Sequence, residues 1–80
     1  MSETTHEIPF RDIPVEQRPL LMVASGVDSA TALREAADLE DGVRRLLVLG
    51  TETGIDGSLA YLCEFALEIA NALRKSTEGD

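Results

Sequence analysis

SLAYLCEFALEIANALRKS, residues 58–76, carries apolar side chains around most of a helical circumference. Ile55, Leu59, Leu62, Ala66, Ile69 and Leu73 make one stripe with helical 4-3-4-3-4 spacing, and Cys63, Leu67 and Ala70 make a second row beside it. Tyr61, Glu64, Glu68, Asn71 and Lys75 leave only a narrow polar strip. A helix that packs on one neighbour needs one apolar stripe. Two rows predict cover from two sides.

The segment before it predicts the first cover. In DSATALREAADLEDGVRRLLVLG, residues 28–50, Ala32, Ala36, Leu39, Val43 and Leu46 form a single stripe opposite Arg34, Asp38, Asp41 and Arg45. Asp28 or Ser29 is the expected N-cap, because a short side-chain oxygen can accept a free N–H of the first turn. Glu40 with Arg44 and Asp41 with Arg45 are acid-before-base pairs at i,i+4, each worth roughly 0.2–0.5 kcal/mol. Gly42 weakens the helix by about 1 kcal/mol relative to Ala, unless it allows another helix to come close. Gly50 is the expected stop. TETGIDGS, residues 51–58, is the loop, with Asp56 or Ser58 capping the next helix.

Upstream, Pro19 opens LLMVA, a short apolar run ending before Gly26 that reads as a strand with Leu20, Met22 and Ala24 on one face. Residues 1–18 contain two Ile-Pro pairs and read as a flexible arm, docked at most through Ile8, Phe10, Ile13 and Val15. Residues 19–75 form the strand-helix-helix domain and 76–80 a disordered tail. A single strand leaves its backbone unpaired, and the second helix lacks its second cover. Both deficits are met by a homodimer. The expected fold is therefore mostly α: a short N-terminal strand, then an antiparallel helical hairpin that dimerises into a four-helix bundle, with the two strands free to pair as an inter-subunit ribbon. Leu20, Met22, Leu59, Cys63, Leu67 and Ala70 are the expected dimer interface.

Seven basic and fifteen acidic residues give a net charge of -8, spread along the chain. No basic face exists for nucleic acid or anionic lipid, so neither is an expected partner. No apolar run is long enough to span a membrane, and no signal peptide is evident. Cys63 is the only cysteine and His6 the only histidine, so a thiolate cluster or a two-imidazole metal site cannot come from one chain. An unpaired thiol fits a reducing cytoplasm. No cofactor is implied.

Four features bear on chemistry. The strand-to-helix turn around Gly26 has the position of a phosphate cradle, but it has one glycine, no lysine, and Asp28 where an anion would sit. It reads as a junction. Glu64 and Glu68 share a helical face without a histidine and read as solvated. Cys63 reads as a structural thiol among apolar neighbours, and Tyr61 as a packing residue at the bundle edge. The chain reads as a non-enzymatic interaction or accessory module. The second reading is a ribbon-helix-helix regulator or an antitoxin-like inhibitor, although such regulators read bases with polar side chains on the ribbon and LLMVA offers none.

The pattern RPLLMVASGVDSATALREAADLEDGVRRLL, followed by AYLCEFALEIANAL, resembles small pseudomonad proteins grouped as domain of unknown function 3077. Gly26, Ala32, Leu33, Ala36, Leu62, Glu64, Ala70 and Leu73 carry the likeness, over about residues 19–75. It implies the architecture and brings no activity, cofactor or catalytic residue.

Overall fold

Two aspartates start the two helices. Asp28 accepts from the Thr31 N–H at 3.2 Å and Asp56 from the Leu59 N–H at 2.8 Å, so each satisfies a first-turn amide that has no partner inside its helix. The computed structural model describes residues 3–78. Its elements in chain order are β1 (Ile8–Ile13), β2 (Arg18–Val23), α1 (Ser29–Thr53) and α2 (Gly57–Ser76). α1 does not stop at Gly50. It continues to Thr53 and ends at Gly54, whose φ is 86° and whose N–H donates to the Gly50 carbonyl. Gly50 answers a different need. Ile55 folds back against it, and a Cβ at position 50 would overlap the Ile55 side chain.

The strand has a partner in its own chain. β1 pairs antiparallel with β2, with Phe10 opposite Leu21 and Asp12 opposite Pro19. This corrects the expected flexible arm and removes the unpaired backbone from which an inter-subunit ribbon was inferred. The prolines obscured β1, yet both strands of a two-stranded sheet are edges, where a missing N–H is tolerated. Further upstream, the Thr5 N–H donates to the Val27 carbonyl at 2.7 Å and the His6 N–H to the Ser76 carbonyl at 2.9 Å. Residues 3–6 are thereby tied across the β2–α1 turn and the end of α2. The expected disordered tail is corrected in part as well. Ser76 and Thr77 are buried, while residues 79 and 80 lie outside the described residues.

The helices form the expected antiparallel hairpin, with α2 in the middle. Among the described residues the β-hairpin contacts α2 and not α1. α1 packs along the Cys63–Ala70 row, both residues buried together with Ala32, Ala36 and Val43. Roughly opposite on α2 lie Glu68, Tyr61 and Phe65, which meet Arg11 of β1. The β-hairpin of the same chain therefore supplies a second cover for α2. The chain is a flat layer of α1, α2 and hairpin, measuring 42 × 34 × 15 Å between Cα extremes.

Candidate interaction surface

On α2 the residues expected at an interface divide between the inside and the surface of the chain. Cys63 and Ala70, expected at a dimer interface, are 6% and 1% exposed and lie inside the chain. In the neighbouring row Leu62 is 59% exposed, while Leu59, Ala66, Ile69 and Leu73 are half-buried. The rows are roughly 90° apart and similar in hydrophobicity, so periodicity alone does not rank them. Side-chain volume does. Cys63 and Ala70 are small enough to let α2 approach the alanines of α1, while the larger Leu62 and Leu67 turn outward.

Leu62 borders an apolar groove between α1 and α2, about 450 Å³ in volume. Val43 and Cys63 belong to its floor, Leu39, Leu46, Leu62 and Ala66 to its walls, and Asp38 and Arg45 to its rim on α1. Gly42 lies on the groove, and a Cβ there would meet nothing within 4 Å. On the other side of the helix pair Leu47 and Leu67 line a second depression of about 360 Å³, but Glu40 and Arg44 share it. The two sides of the layer thus differ in polarity. Of the remaining expected interface residues, Leu59 is half-buried and Leu67 lies on this more polar side. Leu20 and Met22, 66% and 52% exposed, are on the hairpin, away from the groove. The six do not form one surface.

The charged groups serve intramolecular contacts. Arg74 makes a two-pronged bond to Glu40 across the helix pair, at 2.8 and 2.5 Å. The hydrogen bond from Arg74 holds the Glu40 carboxyl below its ordinary value. Glu40 is thus drawn away from its expected partner Arg44, whereas the Asp41–Arg45 pair forms at 3.0 Å. Arg11 was not singled out by its neighbours in sequence. Its backbone has φ 61°, a strained value for a residue with a side chain. Its N–H donates to Glu68 at 3.1 Å instead of to β2, and its guanidinium donates to Glu68 at 2.7 Å and to the Tyr61 hydroxyl at 2.5 Å. The same guanidinium lies 4.6 Å from the Phe65 ring centroid. Glu68 is therefore a docking residue rather than a solvated one, and Glu64 stays exposed.

At the Gly26 turn, φ is 83°, a value that suits a residue without Cβ. The Gly26 N–H donates to the Thr5 carbonyl at 2.9 Å, and the Val27 N–H to the Thr5 hydroxyl at 3.0 Å. The amides an anion would need are bonded to protein. Among the described residues no group of three or more His, Cys, Asp or Glu is placed to hold a metal ion, and no helix is long and apolar enough to cross a membrane. No family model, curated protein or solved structure matches the chain.

Proposed function

We propose that the protein is a non-enzymatic interaction or accessory module that acts as a homodimer, its two helical hairpins forming a four-helix bundle. The observation that carries this reading is the apolar groove between α1 and α2, open along one side of a layer only 15 Å thick. Shape supports it. The Cα radius of gyration is 14.4 Å, against roughly 12 Å for a compact domain of this length. The accessible surface is 5687 Å², about 1,000 Å² more than a monomer of this mass ordinarily exposes. A standard interface removes about 800 Å² from each partner. The reducing cytoplasm suits the free, buried Cys63, and the likeness to the domain of unknown function 3077 proteins belongs to the same proposal.

Size-exclusion chromatography with light scattering tests the reading directly. The expected mass is twice that of the 8.6 kDa chain. A stable monomer at micromolar concentration would overturn it.

A further inference from the structure

Gly42 lines the groove without a side chain to fill it. It sits in the middle of α1, where glycine is disfavoured relative to alanine, and the space beside it is empty. It is not a turn, and among the described residues nothing packs within 4 Å of where its Cβ would be. Leu39 lies three residues before it and Leu46 four after, both on the walls of the same groove. The result is a notch between two knobs. Asp38 and Arg45 stand on the rim, seven residues apart, which is two helical turns or roughly 10 Å. Their midpoint falls beside Gly42.

This pattern is complementary to itself. Resting on the homodimer reading above, we infer that the second copy seats on this groove about a two-fold axis that lies between the two layers, perpendicular to α1 at the level of Gly42. The two α1 helices then run antiparallel. Gly42 faces Gly42 of the partner subunit, so the backbones approach closely. Leu46 covers Leu39 of the partner subunit, and Asp38 reaches Arg45 of the partner subunit twice over. Arg45 is 81% exposed in its side chain and, among the described residues, pairs with Asp41 on its own helix, so it can be shared with Asp38. The opposite side of the layer, with Glu40, Arg44 and Glu64, stays in water. The surface excess of about 1,000 Å² is of the size such an isologous contact removes.

The test uses the full chain carrying Gly42→Cys, mildly oxidised, with Glu64→Cys on the opposite side as control. A disulfide needs Cα atoms within about 7 Å. Gly42→Cys should be trapped as a covalent dimer joined through position 42, as mapped by mass spectrometry, while Glu64→Cys stays unlinked. Charge reversal is the second measurement, because Asp38 and Arg45 are surface positions whose replacement leaves the core intact. Asp38→Arg and Arg45→Asp should each weaken the dimer about tenfold, because each reversal sets like charges opposite each other at both symmetry-related rim positions, and the double reversal should restore it. A wild-type dimer that neither links through position 42 nor regains affinity in the double reversal overturns this seam and leaves the homodimer standing. A wild-type monomer removes both.

Discussion

Ile55 reaches back over the helix it follows, and the only residue type that leaves room for it at position 50 is glycine. Gly50 is buried inside α1, so it carries a helix-propensity penalty of about 1 kcal/mol in return for the contact that closes the α1–α2 loop. Gly50→Ala removes the penalty but forces Ile55 off its seat. Overpacking of this kind costs about 1–3 kcal/mol, which outweighs the gain or at best equals it. The expected result is a fall in Tm of several degrees, since 1 kcal/mol shifts a domain of this size by about 4–8 °C. Gly50→Ala combined with Ile55→Ala should recover part of the loss, because the clash is gone. A single variant that is more stable than the parent, by the propensity gain of about 1 kcal/mol, would show that Ile55 does not rest there. From the sequence Gly50 looked like a stop signal. Its actual role depends on a residue beyond the loop, which local pattern does not register.

Elements show which parts of the fold local pattern can carry. Asp28 and Asp56 were legible as caps because capping is settled within four residues, and the α1 stripe was legible because one face is apolar and the other charged. β1 was not. Pro9 and Pro14 argued for an irregular arm, and the tie that holds the strand down, Arg11 to Glu68, spans 57 residues. The face of α2 was equally hidden, because Cys63 and Leu62 differ in volume rather than in polarity. The Arg11 contact gives the element-scale prediction. Arg11→Ala removes the guanidinium bonds to Glu68 and Tyr61 and the stacking on Phe65 together, and leaves only the backbone N–H bond to Glu68. Hydrogen exchange of the β1 and β2 amides should accelerate, while amides in the middle of α1, which the hairpin does not touch, keep their protection. Equal acceleration throughout would mean that the hairpin and helices open as one unit and that Arg11 is not the specific tie.

At the scale of the whole molecule two forces compete over the groove. Burial of Leu39, Leu46, Leu62 and Ala66 favours association in proportion to apolar area. Net charge opposes it, because each chain carries -8 and a dimer confines twice that charge in one particle. The rim pairs between Asp38 and Arg45 are solvated and worth about 0–1 kcal/mol apiece, too little to reverse the sign of the long-range term. Salt separates the two contributions. Raising ionic strength from 0.01 M to 1 M shortens the Debye length from about 30 Å to about 3 Å, which removes repulsion across the particle and leaves apolar burial in place. Sedimentation equilibrium should therefore show the dimer tightening as sodium chloride is added. Weakening with salt would mean that charged groups hold the copies together, and the polar side around Glu40 and Arg44 would then be the better candidate for the seam.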